Sequence, residues 1–318
     1  MQKSELTISS LVKRLGGEFI GQPQLVINRF NSLCKAGEGE AAFASNSASK
    51  QELIKSNASL LVISKENYHF NEILNSRNLR KLSTITFHDP RLFYAKYCKF
   101  LTKNNCTDSD VKKKIDPSAS IHDTALIGDG VKIGAACVVE EGTQIGKNSK
   151  IEAQSYIGKN CLIGEECHLL PNTTIMSNVL IGNEVIIHSG SIIGSDGFGY
   201  ARTETKKWEK IPHQGKVLIG NNVEIGSNSS VDRGTFDSTI IEDGVKIDSQ
   251  VHIAHNVIVG SDTVIAGCVG IAGSSKIGSR CQIGGAAGIL DHITISSDTI
   301  IGPKSLVASD IKKSGKFL

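Results

Sequence analysis

The sequence predicts a mainly β protein, a parallel β-helix solenoid preceded by a small α/β domain, and three observations carry that reading. An aliphatic residue returns at every sixth position from Ile115, Ile121 and Ile127 through Val139 and Leu169 to Ile193. The beat resumes at Ile219, Ile225 and Val231, slips by four residues, and runs again from Ile241 through Ile253, Ile265 and Ile289 to Val307. Glycine often follows the repeated aliphatic, as at Gly128, Gly146, Gly164, Gly226, Gly260 and Gly284. A period of six fits neither an amphipathic helix nor an alternating strand, and short repeats of this kind mark a β-helix. The third observation is where the beat is missing: residues 1–102 lack it and read as a separate mixed domain.

In that first domain Thr7 caps a helix over ISSLVKRL that stops at Gly16 and Gly17, and Leu61–Ile63 reads as a buried strand. Asp89 with Pro90 behind it opens a second helix, RLFYAKYCKFL. Residues 103–114 form a polar linker, and the solenoid occupies 115–308. An inserted segment at 195–217 and a four-residue slip inside DRGTFDST interrupt it, and such interruptions are where binding loops project. The tail 309–318 is too short to add an element.

Each hexapeptide supplies one short strand and a corner, with the aliphatic inward and the glycine at the bend, where room and unusual backbone angles are needed. Three hexapeptides close a triangular coil, so residues eighteen apart stack at about one strand spacing, 4.8 Å. A column so packed leaves no interior cavity. Any active site therefore lies outside, against an inserted loop or a neighbouring molecule.

Composition narrows the functions. The 318 residues are 39% hydrophobic and 5% aromatic, which allows two domains with an aliphatic core. Lys and Arg number 35 against 32 Asp and Glu, a balance that predicts no nucleic-acid partner. There is no apolar run of membrane-spanning length and no signal sequence, so a cytoplasmic protein without a transmembrane segment is expected. The 8 cysteines form no CxxC pair and read as reduced, half-buried thiols.

His255 follows the inward Ile253 by two places, so its side chain leaves the coil. On the eighteen-residue ruler Gly273 occupies the same place one coil later, and Asp291 with His292 one coil beyond. A base, a bare backbone N–H and a second histidine in one line suit acyl transfer without a protein nucleophile. Asp248, earlier on the same coil, is the candidate to orient His255, the alternative being that different corners separate them. Spacing alone also allows Gly273 to be only a corner glycine. Metal catalysis is not expected, because His252 and His255 diverge about Ile253 and no His pair sits five apart. In GSDGFGY the glycines do not open a helix, so a dinucleotide-binding turn fits poorly. Ser195, Gly197, Phe198 and Tyr200 are instead candidates for substrate binding, the alternative being that Phe198, Tyr200 and Trp208 pack the loop down.

The motifs GSDGFGY, IGNNVEIGSNSSVDRGTFDSTII, IDSQVHIAHNVIVG and IAGSSKIG together resemble the UDP-3-O-acylglucosamine N-acyltransferases of lipid A (lipopolysaccharide) synthesis, over nearly the whole chain. The resemblance implies a left-handed β-helix and a homotrimer with its site between subunits. It implies a hexapeptide-repeat acyltransferase that moves a 3-hydroxyacyl chain from acyl carrier protein to the 2-amino group of a UDP-3-O-acylglucosamine, without a cofactor. By position it makes His255 the general base, Gly273 the oxyanion N–H, Asp248 the partner of the base, and His292 a second active-site histidine. Phe43 and Asn46 match positions implied to stack on uracil and hold the UDP moiety. Here Ser47 and Ser49 replace the proline and tyrosine of the family's Asn-Pro-Lys-Tyr, so one stacking wall is missing and a weaker uridine grip is expected unless another aromatic substitutes. Relatives also continue into C-terminal helices that engage the carrier protein, so the expectation is either a truncated chain or a different hold on the donor. UDP-N-acetylglucosamine O-acylation, or a non-catalytic binding solenoid, is the alternative function.

Overall fold

The computed structural model describes residues 6–44, 48–67, 69–105 and 114–318, and the chain divides into two compact units, Met1–Ser109 and Asp110–Leu318. The first is built on a sheet with strand order Glu18–Ile20, Ser83–Thr86, Leu60–Ile63, Glu40–Phe43, Arg29–Phe30. Only the first pairing is antiparallel. Leu60–Ile63 is apolar throughout because it is central and covered on both faces, as parallel strands usually are. Its alternate residues feed different cores. Leu60 and Val62 pack with Ile8, Leu11 and Phe93, while Leu61 and Ile63 pack with Leu53 and Ile73.

The helix ends follow local chemistry. Thr7 Oγ1 accepts from Ser10 N at 3.2 Å to start Ile8–Leu15, and Gly16 and Gly17 end it at φ 90° and 100°. Asp89 Oδ1 accepts from Arg91 N at 2.9 Å at the start of Pro90–Asn105. That helix runs through residues 103–105, which the sequence reading gave to the linker, and Lys114 already belongs to the first solenoid strand, Lys114–Ile115. Nothing in Lys103–Asn105 breaks a helix, so polarity alone misplaced the boundary.

The second unit is a left-handed parallel β-helix with three faces. Among the described residues its sheets hold 10, 9 and 11 strands, mostly two residues long. The eighteen-residue ruler holds in the pairing, as in Val138↔Tyr156 and Tyr156↔Thr174. Across the inserted segment Leu180 pairs with Leu218, and across the slip Ser230 pairs with His252. Both interruptions bulge outward and leave the stack in register.

Two details correct the hexapeptide reading. Apart from Gly194 at φ 90°, the glycines after the inward aliphatic are there for room: a Cβ on Gly128 would meet Ile145 O at 2.9 Å, and one on Gly182 would meet Gly220 C at 2.8 Å. Left-handed backbone falls two places later, at Asn148, Asn160, Asn178 and Asn222, a conformation asparagine tolerates. The second detail is an additional inward position, two before the aliphatic, filled by small residues such as Val131, Cys137, Thr143, Ser149 and Cys161. Their hydroxyls donate to carbonyls one coil on, as Thr143 Oγ1 does to Gly158 O at 2.7 Å and Ser149 Oγ to Gly164 O at 2.8 Å. Such bonds satisfy polar atoms that burial would otherwise penalise. Cys137, Cys161, Cys167 and Cys281 occupy this column and are fully buried, not half-buried, whereas Cys268 is exposed.

The tail also does more than expected. Ile311 bridges Ile295, and Lys316–Phe317 pairs with Ile300–Ile301 as a further strand of one face. No helix among the described residues is long and apolar enough to cross a membrane.

Candidate active site

His255 stands at the corner between the strands His252–Ile253 and Ile258–Val259, which lie in different faces. The stacked ruler puts Gly273 directly against it. A Cβ on Gly273 would lie 2.7 Å from both Nε2 and Cε1 of His255, so any other residue there displaces the imidazole. Backbone bonds lock the column: Ser274 N donates to His255 O at 2.9 Å, and His292 N donates to Gly273 O at 3.0 Å. Among the described residues no hydrogen bond uses the Gly273 N–H. His292 is exposed at the same corner, two rungs from His255, about 10 Å along the axis.

The tautomer of His255 follows from its neighbour. Nδ1 lies 3.0 Å from Asn256 Oδ1, and that oxygen already accepts from Thr235 N at 3.0 Å. An acceptor facing Nδ1 requires Nδ1–H, which leaves the lone pair on Nε2, the nitrogen that faces Gly273. Asn256 is therefore the group that orients the His255 ring, and nothing in the spacing points to it. It sits at φ 61°, the left-handed place of the hexapeptide, which folds its side chain back beside the preceding residue.

Asp248 is not that group. It follows Ile247 on another face and stands at the preceding corner, with the whole strand His252–Ile253 between it and His255. Its Oδ1 accepts from Ser249 N at 2.7 Å, and its side chain is exposed. The seven-residue separation is not a multiple of the coil, so the two cannot share a corner.

The inserted segment folds as a hairpin, Tyr200–Arg202 against Trp208–Lys210, whose base closes over the column. A Cβ on Gly197 would meet His213 Nε2 and His255 Cβ, each at 2.8 Å, and one on Gly199 would meet His213 Cε1 at 2.8 Å. These glycines let the segment lie flat on two imidazoles. His213 packs against His255 with ring centroids 5.1 Å apart, is only 6% exposed, and among the described residues neither ring nitrogen makes a side-chain hydrogen bond. Burial, then the neighbouring His255, pulls its pKa below the ordinary 6.5. No spacing argument could have found His213, because the hairpin lies off the ruler.

Ser195 joins the site through its hydroxyl, which donates to Asp232 Oδ1 at 2.7 Å. Phe198 and Tyr200 do not pack the loop down. Their rings lie 5.0 Å apart on the hairpin, and Phe198 is 85% exposed. Trp208 is likewise exposed, under Arg202.

In the first unit, Phe43 ends the strand Glu40–Phe43 and is half-buried, with Tyr94 stacked on it at 5.3 Å and 27°. An aromatic thus does stand beside Phe43, contributed by the helix Pro90–Asn105. Ser49, where relatives are implied to carry tyrosine, caps the helix Lys50–Lys55 in a reciprocal box with Glu52. Asn46 and Ser47 lie outside the described residues.

A solenoid of hexapeptides bearing an imidazole against a bare backbone N–H fits a hexapeptide-repeat acyltransferase. Comparison with known proteins agrees. The bacterial transferase hexapeptide family (six repeats) matches residues 238–273, and the GMPPB C-terminal domain family matches 137–235. An Arabidopsis UDP-N-acetylglucosamine acyltransferase structure superposes with a TM-score of 0.58 at 28% identity, over 64% of this chain and 71% of that one. A UDP-3-O-acylglucosamine N-acyltransferase of Bordetella pertussis is 40% identical over 297 residues, 92% of this chain and 80% of its own. Its counterpart in Coxiella burnetii is 38% identical over 98% of this chain and 87% of its own. The chain belongs to the UDP-3-O-acylglucosamine N-acyltransferase family.

Proposed function

We propose that the protein transfers a 3-hydroxyacyl chain from acyl carrier protein to the 2-amino group of UDP-3-O-(3-hydroxyacyl)glucosamine, an amide-forming step of lipid A synthesis. The observation that carries the chemistry is the contact of His255 Nε2 with Gly273. The amine attacks the thioester carbonyl and loses its proton to Nε2, while the Gly273 N–H meets the oxygen as it gains charge. The imidazolium then returns the proton to the departing thiolate. The thioester supplies the driving force, so the reaction requires no cofactor.

Phe43 offers a stacking surface for uracil, with Tyr94 supporting it from the same unit, and Asn46 contacts the UDP moiety. His292, further along the column, holds the nucleotide phosphates or the carrier arm. Gly197 brings the inserted segment down over the reacting groups, and Ser195 anchors its base. The exposed Phe198 and Tyr200 fit a homotrimer in which the hairpin reaches another subunit, in a cytoplasmic enzyme. Mass spectrometry of UDP-3-O-acylglucosamine incubated with 3-hydroxyacyl carrier protein tests the reading. An N-linked product that disappears in His255→Ala supports it, and an O-linked product on UDP-N-acetylglucosamine, or none at all, overturns it.

A further inference from the structure

Beside His255 lies a carboxylate on another coil. The strand Ser230–Asp232 runs parallel to His252–Ile253 with Ser230 opposite His252 and Val231 opposite Ile253. Continuing that register sets Asp232 opposite Ala254, the residue before His255. Asp232 is 6% exposed, unlike Asp248. Its Oδ1 accepts from Ser195 Oγ, and its Oδ2 lies 3.7 Å from His252 Nε2. His252 in turn has Nδ1 2.8 Å from Ser230 Oγ.

We propose that Asp232 is the positioning carboxylate of this site, buried so that its charge stabilises the imidazolium that forms on His255 when the amine proton arrives. Asn256 holds the ring and fixes its tautomer, and Asp232 supplies the field. The surroundings fit that division. Facing Asp232 are His252 and His255 from the next coil, His213 from the return of the hairpin, and the Ser195 hydroxyl. Asp196 is engaged by Lys210 at 2.6 Å. The neighbouring Arg233 turns away, donating to Gly194 O at 2.7 Å and Ser177 O at 2.8 Å. Among the described residues the carboxylate therefore has imidazoles around it and no Lys or Arg ion pair to neutralise it. Burial raises its pKa above the ordinary carboxyl value, against the pull of Ser195 and the three histidines. A buried carboxylate next to a base that must gain a proton stabilises that protonated form.

The inference rests on the N-acyl transfer proposed above, and the two fail differently. If that reading is wrong, the wild-type protein makes no amide. If only this inference is wrong, the wild type is active and the pH profile decides. In Asp232→Asn, kcat should fall by roughly tenfold or more with KM little changed. The acid limb of kcat/KM should also move to lower pH, because the reacting centre loses a neighbouring negative charge. Asp232→Glu should restore the limb toward the wild-type position, and Asp248→Asn should leave it in place. A lower plateau with an unmoved limb in Asp232→Asn, or a limb that moves in Asp248→Asn instead, overturns the assignment. Should Asp232→Asn not fold, Ser195→Ala gives the reading. Without that donor the Asp232 carboxyl takes up a proton more readily, so activity should decline from a higher pH than in the wild type, and an unchanged profile counts against the proposal.

Discussion

The two units of this chain store information differently. In the solenoid, position in space is nearly a linear function of position in sequence: eighteen residues advance one rung, so Gly273 falls beside His255 and His292 beyond it. The first unit has no such ruler. Phe43 meets Tyr94 across fifty-one residues, through a parallel sheet whose order nothing in the spacing foretells. A repeat therefore makes the candidate His255–Gly273 column readable while a mixed sheet hides the Phe43–Tyr94 pair, and perturbations should separate the two.

The largest effect belongs to His255→Ala, which should cost about 10²–10⁴-fold in amide formation. Its melting temperature and its uridine-nucleotide affinity should stay near wild type, as measured by calorimetry and ligand titration. Next comes Ile265→Asp, which places an unpaired charge at a 2% exposed rung. A penalty on the order of 4–5 kcal/mol is expected. Because coils interact with their neighbours, hydrogen exchange should accelerate around Val259–Ile283 while the first unit keeps its protection. Uniform acceleration in both units would mean that they unfold together. A smaller change is expected from Phe43→Ala, which should weaken the nucleotide substrate by about 1–3 kcal/mol, seen as a raised KM at constant kcat. An unchanged KM removes Phe43 from the nucleotide site.

The smallest effect concerns His213. Its pKa is pulled down from 6.5 on folding, so the neutral ring favours the fold above that pH, and the contribution is lost as pH falls from 6.5 toward the lowered value. Melting curves of His213→Gln should therefore be less acid-sensitive than wild type over that window. Equal acid sensitivity would show that His213 does not titrate with unfolding.

What the residues made legible follows from the same contrast. The beat of aliphatics named the fold, the faces and the His255–Gly273 contact, and the caps at Thr7 and Asp89 placed two helix starts. Seven residues separate Asp248 from His255, about one hexapeptide and not a multiple of the coil, so the ruler already allowed the two to fall at different corners. Asn256 was hidden by its left-handed backbone, which brings adjacent side chains together. Asp232 lies across the four-residue slip, where counting by eighteen fails, and His213 sits on a hairpin that obeys no period. Asp232 and His213 each occupy a departure from regularity, whereas Asn256 stands at a regular place of the hexapeptide. The interruptions carry as much of the site as the repeat does.

The inward column of small residues turns four thiols into internal reporters. Burial lifts the pKa of Cys137, Cys161, Cys167 and Cys281, so none offers a thiolate to a reagent while the coils are closed. Three of them mark the rungs before the hairpin and one marks those after it, with exposed Cys268 as a prompt standard. The order in which alkylation reaches them is a record, written by the protein's own chemistry, of which end of the prism breathes first.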